Sequence, residues 1–384
     1  KVCIDNSKCI QCGICIQVCQ RRDTLCRNIP AVAYAAQAKD KANLAQSASG
    51  GAFQMLAQII LEQEGVCYGC ELTKENNVFG ASHVRIDTEK QLHRILNSKY
   101  IPSIIGNTYQ LAKQDLDKGR LVLFSGTPCQ IQGLRSYLHK EYDNLLTVDL
   151  ICHGVTSAEL FNRFIRCIEE RDDITIVDYA FRDKTVSWGT NFCYSYIKNQ
   201  DTQRQIRIKH CPREESSYMM HYLRGDIFRE NCYECDCSNL SRCSDFTLGD
   251  YWEIEREHPE YILRENPRMV LRQGISCVLV NTEKGKAYVS ALSKKMILHE
   301  VNLDTVTAHN GNLRRASPRG KNRQWLLQTC REKGYEAIED AYRKKVGNKI
   351  VLYRIKNLLK SYLPDAVRIW IYQSEVLRKI VFHQ

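Results

Sequence analysis

A chain of 384 residues with 43% hydrophobic and 26% charged residues has the composition of an ordinary globular protein, with room for one large domain and a small module. Its nineteen cysteines are an odd number, partly in C-x2-C spacings and without a secretory signal. An odd number of cysteines excludes a fully paired disulfide framework, and the C-x2-C spacings indicate metal or cluster ligation in a reducing cytoplasm. No apolar run reaches the roughly 18 residues that a membrane span needs.

The first cysteine motif lies in residues 1–26 and has the spacing C-x2-C-x2-C-x3-C, formed by Cys9, Cys12, Cys15 and Cys19. This spacing is typical of bacterial [4Fe–4S] ferredoxin modules, since two intervening residues let successive thiolates reach separate irons. A zinc site or disulfides are the alternatives. Because the chain begins at Lys1, directly within the motif, we expect a truncated or processed N-terminus. The ligand role of Cys19 depends on what precedes Lys1, and Cys3 and Cys26 are candidate substitutes.

Residues 27–46 are rich in Ala, Gln and Asn, and we interpret them as a linker or a loose helix. The turn Ser49-Gly50-Gly51 then opens a helix with apolar residues at helical spacing. Free N–H groups at such a helix start suit a phosphate, although an ordinary N-cap explains Ser49 equally well. Cys67 and Cys70 also have C-x2-C spacing, but they lie in a predicted strand and are interpreted as core residues.

Two apolar strands in 121–153 each deliver a cysteine at their end. Cys129 follows the turn Gly126-Thr127-Pro128, and Cys152 follows the strand at 145–151. If these strands are neighbours in one sheet, the two cysteines lie near each other, at the carboxyl ends of strands where cofactors bind. The alternative is a pair of buried free cysteines. Before this stretch, Lys99 and Tyr100 lie in a loop that either contacts a phosphate and a ring or is simply solvated.

Strand-like alternation at 174–208 predicts an antiparallel sheet. A second dense cysteine cluster follows, namely Cys232, Cys235, Cys237 and Cys243, which could bind one zinc or contribute two ligands to a shared site. Residues 342–384 carry ten Lys/Arg against Asp365 and Glu375, so +8 of the net charge of +11 lies in this helical tail, and we expect no specific nucleic-acid partner. Its apolar stripe at 350–362 either packs on the protein's own core or lies on a membrane surface or a partner subunit.

Several segments together resemble the coenzyme F-420 hydrogenase/dehydrogenase beta-subunit family, whose relatives include the 7-hydroxymethyl chlorophyll a reductases. The matching segments occur in family order: SASGGAF, NSKYIPS, LVLFSGTPCQIQGLR, VDLICHGVTS, CYEC, SDFTLGDYW and GISCVLVNT. The resemblance implies a flavoprotein that binds FAD and [4Fe–4S] clusters.

By matching motif, the resemblance implies that one cluster is held by Cys129, Cys152, Cys232 and Cys235. It also implies flavin contacts, at the turn Ser49-Gly50-Gly51, at the loop Lys99-Tyr100, and at Thr127 and Gln130. Cys237 and Cys243 are spectators or an alternative ligand set.

The sequence therefore predicts an α+β (mixed α/β) protein divided into five parts: a ferredoxin-type module at 1–26, a linker at 27–46, the two parts of a flavin and cluster domain at 47–155 and 156–316, and a basic helical tail at 317–384. The leading hypothesis is a cytoplasmic iron–sulfur flavoprotein oxidoreductase, with two [4Fe–4S] clusters and FAD. It would exchange electrons with a ferredoxin-like protein or a deazaflavin coenzyme. The alternatives are a non-catalytic electron-transfer subunit and a zinc-stabilised binding module. The substrate, the direction of the reaction and the oligomeric state are left open.

Overall fold

The computed structural model describes residues 7, 9–13, 27–185, 188–189, 191–374 and 377, without the side chains of Lys360 and Ser361. Within this part of the chain, a large mixed sheet and a small antiparallel sheet are surrounded by helices. The predicted mixed α+β class is confirmed.

The large sheet has the strand order β12-β1-β11-β10-β6-β5-β2-β3-β4 in the described residues. Its strands are β1 (Val32–Ala38), β2 (Val66–Glu75), β3 (Val78–Ile86), β4 (Ser103–Ile104), β5 (Val122–Ser125), β6 (Leu145–Leu150), β10 (Phe246–Asp250), β11 (Ser276–Val280) and β12 (Met296–Val301). Strands β2, β5, β6 and β10 are parallel neighbours, so their carboxyl ends lie at the same edge of the sheet. This parallel block positions the site.

Strand β1 contradicts the predicted linker at 27–46. The Ala and Gln residues favour a helix locally, but β1 pairs with β11 on one side and β12 on the other. Ala33, Ala35 and Ala36 are 2%, 0% and 0% exposed, so the strand is enclosed and its small side chains let neighbouring elements approach. Gln37 completes the fit, because its side-chain amide donates to the carbonyl oxygen of Gly274 at 2.7 Å. Tertiary packing thus overrides the local propensity.

The helices cover both faces of the large sheet and form the C-terminal tail. They are α1 (Lys41–Gln46), α2 (Ala52–Leu61), α3 (Thr108–Asp117), α4 (Pro128–Leu138), α5 (Ala158–Asp172), α6 (Ser217–Leu223), α7 (Glu230–Tyr233), α8 (Ile254–Glu257), α9 (Glu260–Leu263), α10 (Glu283–Lys295), α11 (Leu303–His309), α12 (Arg323–Lys333), α13 (Glu336–Val346), α14 (Lys349–Tyr362) and α15 (Asp365–Gln373). Short 3-10 helices lie at Glu89–Ile95, Arg213–Glu215, Leu271–Gln273 and Gly311–Leu313. The apolar α2 packs in the central core against β1, β2 and β5.

The small sheet is antiparallel and consists of β7 (Ile174–Ala180), β8 (Phe192–Lys198) and β9 (Arg207–Cys211). This confirms the prediction made from the alternation at 174–208. Helix α5 packs between this sheet and β3, and contributes Phe161 and Phe164 to an aromatic core. Ser157 is the N-cap residue of α5, but its side chain makes no capping hydrogen bond.

The tail is helical, as predicted, but the apolar stripe of α14 does not pack on the core. Leu352, Ile355, Leu358 and Leu359 are 49–62% exposed. No described helix is long and apolar enough to cross a membrane.

Candidate functional site

The carboxyl ends of the parallel block open onto a cavity of about 940 Å³. Cys70 from β2, Ser125 from β5, Leu150 from β6 and Asp250 from β10 all line it. The position follows from the topology, because side chains that follow parallel strands meet at one edge of the sheet. The volume lies within the range of about 300–1,000 Å³ that is usual for ligand sites.

Cys129 lies in the first turn of α4, directly after the β5 strand. Thr127 is the N-cap residue, and its Oγ1 lies 3.2 Å from the Cys129 Sγ. The Gln130 side chain holds this turn in place, since its Oε1 accepts from the Thr127 N–H at 2.9 Å and its Nε2 donates to the carbonyl oxygen of Ser103 at 3.3 Å. Thr127, Cys129 and Gln130 all line the cavity. The turn therefore connects the predicted cluster ligand with the predicted flavin contacts.

Cys152 follows β6 in a turn that lies against α7. The Val155 N–H points at the Cys232 Sγ at 3.5 Å, and the Arg229 N–H donates to the Val155 carbonyl at 2.8 Å. Gly154 makes this approach possible, because it has a φ of +133° and a Cβ at this position would lie 2.9 Å from the Phe228 ring. The main chain at this turn is thereby seated directly on the helix that carries Cys232.

The four thiols that were predicted to form one cluster site face one another. Burial raises the pKa of Cys152, and the charges of Cys129, Cys232 and Cys235 raise it further. Burial likewise raises the pKa of Cys129, with Cys235 and Cys232 adding to it. Four thiolates at this spacing repel one another, and a cationic iron–sulfur cluster would relieve that repulsion. We call Cys129, Cys152, Cys232 and Cys235 the cysteine cage.

The spacing of the cage argues against a single zinc ion. Zn–S bonds of about 2.3 Å place the thiolates of a tetrahedral zinc site less than about 4 Å apart. Among the described residues, the set of three or more ligand atoms that converge within 4.8 Å does not include the cage cysteines. A cubane cluster binds each thiolate at a different iron and so holds its ligands farther apart.

Cys237 and Cys243, the two additional cysteines, occupy different positions. Cys237 donates to the thiolate of Cys235, which lowers the pKa of Cys235, and its Sγ also lies 2.9 Å from the Gln132 Oε1. Burial raises the pKa of Cys243 to about 11, with Asp149 raising it further and Arg135 lowering it. Cys237 is therefore adjacent to the cage, whereas Cys243 belongs to its surroundings.

The turn at Ser49 also lines the cavity. Gly50 is fixed by its neighbours, because a Cβ there would lie 2.1 Å from the Ala36 carbonyl oxygen, and Gly51 has a φ of +88° at the N-cap of α2. The Ser49 carbonyl accepts from the Lys184 Nζ at 2.6 Å. The Ser49 Oγ is buried and has no hydrogen-bond partner within the described part of the chain. A buried, unpartnered hydroxyl at a cavity wall is suited to a ligand.

Lys99 and Tyr100 also line the cavity. The Lys99 ammonium donates to the Leu96 carbonyl, and burial lowers its pKa to about 8. The Tyr100 ring packs against Tyr222, with ring centroids 4.8 Å apart. His83 adjoins this loop, with its Nδ1 2.6 Å from the Ser103 Oγ, and burial lowers its pKa to about 4, so it is neutral. The loop therefore offers the cavity one cation and an aromatic ring.

Sequence reasoning missed a buried polar group on the cavity floor. The Arg182 Nη1 donates to the Asp250 Oδ2 at 2.6 Å, and the Trp188 Nε1 donates to the Asp250 Oδ1 at 3.2 Å. Trp188 stacks on Trp252 at 5.1 Å. The sequence could have indicated Asp250 and Trp252, because both lie in the motif SDFTLGDYW. Arg182 and Trp188 reach the cavity only through the tertiary fold.

The N-terminal motif is described only in part. Cys9 and Cys12 are exposed, whereas Cys15 and Cys19, as well as Cys3 and Cys26, lie outside the described residues. Residue Asn28, which follows this motif, forms backbone hydrogen bonds with Arg242 in the second cysteine cluster. The Asn28 N–H donates to the Arg242 carbonyl at 2.7 Å, and the Arg242 N–H donates back at 2.8 Å. Arg242 precedes Cys243, so residues 27–28 lie on the cage side of the domain.

A cysteine cage beside a ligand-sized cavity, on the carboxyl edge of a parallel block, is typical of redox proteins that hold a metal cluster. Residues 119–306 match the model of a family that is described as the C terminus of the coenzyme F420 hydrogenase/dehydrogenase beta subunit. Over this part of the chain, the resemblance seen in the sequence motifs is confirmed. The chain is thus related to a family of redox subunits.

Comparison with solved structures gives a similarity to the F420-reducing [NiFe] hydrogenase complex from Methanosarcina barkeri. The two chains share 14% identity with a TM-score of 0.43, over 83% of this chain and 92% of the other. No curated protein matches the chain.

Proposed function

We propose that the chain is an iron–sulfur flavoprotein oxidoreductase that exchanges electrons with a ferredoxin-like protein or a deazaflavin coenzyme. The observation that carries the proposal is the juxtaposition of the cysteine cage with the cavity. Cys129 and Cys152 line that cavity together with Ser49, Lys99 and Thr127. A cluster in the cage and a ligand in the cavity would share this wall.

The cavity fits FAD in volume and in the groups that it offers. The unpartnered Ser49 hydroxyl and the N–H groups at the start of α2 suit phosphate oxygens. Lys99 supplies a positive charge, and Tyr100 and Trp252 supply aromatic surface. A bound flavin would supply conversion between two-electron and one-electron transfer.

The chain's own residues then position the reactants and exclude water. The buried Arg182–Asp250 pair fixes the floor and holds Trp188 in place. His153 lines the cavity, and burial lowers its pKa, so its imidazole is neutral near pH 7. Cys129 and Cys152 would bind the cluster where their turns meet the cavity.

The electron route requires the N-terminal motif to lie close to the cage. The backbone pairing of Asn28 with Arg242 ties the exit of that motif to the segment beside Cys243. This arrangement supports transfer from a partner through an N-terminal cluster to the cage. The free thiols of the described cysteines fit the reducing cytoplasm that we propose as its location.

Docking of the partner is proposed at the basic tail. Helix α14 exposes Leu352, Ile355, Leu358 and Leu359 on a segment with a strong excess of Lys and Arg. An exposed apolar stripe with basic flanks suits another subunit or an anionic membrane surface.

Flotation with anionic vesicles and co-purification with a redox protein distinguish these two partners. Ile355→Ser should weaken whichever association is observed, because it interrupts the apolar stripe while keeping the basic residues. Trp325→Ser on α12 is the matched control, since Trp325 is also exposed but lies outside the stripe. Equal losses in the two variants would contradict docking at α14.

One anaerobic preparation tests the proposed function. The purified chain should carry flavin bands together with broad absorption near roughly 400 nm from iron–sulfur clusters. A colourless protein with stoichiometric zinc would favour the zinc-stabilised module and overturn the proposal. The rate at which candidate acceptors reoxidise the reduced protein separates an enzyme from an electron-transfer subunit, because a subunit without its own substrate site reduces only protein partners.

A further inference from the structure

A second cluster of ligand-type side chains lies at the small sheet, outside the lining of the cavity. Cys193 on β8 and His210 on β9 are directly opposite each other in the strand register, and Cys193 also pairs with Ala180 at the end of β7. Asp183 follows β7 by three residues. The ligand atoms of Asp183, Cys193 and His210 all lie within 4.8 Å of one another. None of the three lines the cavity.

The geometry of Asp183 suggests a prepared ligand. Its Oδ2 lies 2.7 Å from the His210 Nδ1, while its Oδ1 accepts from the Thr185 N–H at 2.9 Å and from the Thr185 Oγ1 at 2.6 Å. The Asp183 N–H donates to the Asn191 carbonyl at 2.7 Å, which fixes its main chain. Hydrogen bonds of this kind orient a metal-ligating carboxylate. One face of the carboxylate is thus held while the other meets the imidazole.

We propose that Asp183, Cys193 and His210 bind a divalent cation of the zinc type. Carboxylate, thiolate and imidazole are the three ligand classes that zinc takes, and three protein ligands leave a fourth position for water. A thiolate and a carboxylate together balance the charge of the ion. Binding releases the proton of the Cys193 thiol to solvent, and the hydrogen of the metal-bound imidazole nitrogen moves to the other ring nitrogen of His210.

Differences in burial indicate how the ion would reach the site. Asp183 is only 7% exposed, Cys193 is half-buried, and the His210 side chain is 42% exposed. The His210 end is therefore open to solvent, and the Asp183 end is enclosed. An ordinary surface ion pair would not place a half-buried thiol against both partners.

The test is a Co²⁺ titration of the anaerobically purified holoprotein, with the metal content of the protein as isolated measured beforehand. Wild type should bind one equivalent with the thiolate-to-cobalt absorption of a tetrahedral site, and Zn²⁺ should displace it. Cys193→Ser and His210→Ala should each weaken binding by about 100-fold or more, since even outer-shell changes cost about 10–100-fold. Cys330→Ser, a change of another half-buried thiol, on α12, should leave it unchanged.

Two results would overturn the proposal: no cobalt equivalent in wild type, or an absorption band that survives in Cys193→Ser. The exposed His210→Ala variant keeps the test decisive if Cys193→Ser does not fold. Iron content and flavin content are measured on the same samples, so loss of the cobalt site is distinguished from failure of the cluster or flavin proposal.

Discussion

Replacing Gly154 by alanine should open the cysteine cage without removing a ligand. The added Cβ would lie 2.9 Å from the Phe228 ring and 3.1 Å from the Cys232 Cβ, whereas carbon atoms prefer a separation of about 3.5–4.0 Å. The φ of +133° adds strain for any residue with a side chain. Backbone strain of about 1–3 kcal/mol and overpacking of about 1–3 kcal/mol give an expected destabilisation of about 2–6 kcal/mol.

The assay combines thermal unfolding with iron analysis. An unfolding entropy of about 2.1 cal/mol/K per residue over 384 residues converts about 3 kcal/mol into a Tm lower by about 4 °C. Iron per chain should fall as well, because the turn that carries Cys152 is displaced from Cys232. Gly80→Ala on β3 is the matched control, since a Cβ there meets no atom within 4 Å. An unchanged Tm and iron content in Gly154→Ala would refute the reasoning.

Three further predictions concern the cavity and the spare thiol. Ser49→Ala should leave the flavin-free protein at least as stable as wild type, because a buried, unpartnered hydroxyl costs about 1–3 kcal/mol. The same change should weaken flavin binding several-fold. A less stable flavin-free protein would contradict this prediction. Flavin affinity should fall as pH rises through about 8, where Lys99 loses its charge, and fluorescence titration of Lys99→Met should show no such step. The Cys235→Ala variant should retain part of its iron, because the adjacent Cys237 can replace Cys235 as a ligand. The variant that combines Cys235→Ala with Cys237→Ala should lose that iron. Equal losses of iron in the two variants would show that Cys237 does not replace Cys235.

The convergence of Cys129 and Cys152 could be predicted because it depends on few elements. Two strands joined by one helix are usually parallel neighbours, so residues at their carboxyl ends meet. The pairing of β5 with β6 confirms this. Ser49 and Lys99 were found through motif resemblance, and the structure brings both to the cavity.

Other parts of the site depend on packing that no local pattern encodes. Arg182 reaches Asp250 across 68 residues of chain, and no spacing connects the two. Strand β1 was misread for a related reason. Its alanines favour a helix when considered alone, but a strand enclosed between β11 and β12 needs small side chains. Long-range burial decides both cases.

The central claim is that Cys129, Cys152, Cys232 and Cys235 together hold one cluster. Iron and acid-labile sulfide per chain, measured anaerobically in wild type and in Cys129→Ala combined with Cys232→Ala, test it most directly. The claim predicts that the double variant loses about four irons, those of one [4Fe–4S] cluster, while Cys243→Ala keeps the wild-type content. Unchanged iron in the double variant, or one zinc per chain in wild type in place of that iron, would contradict it.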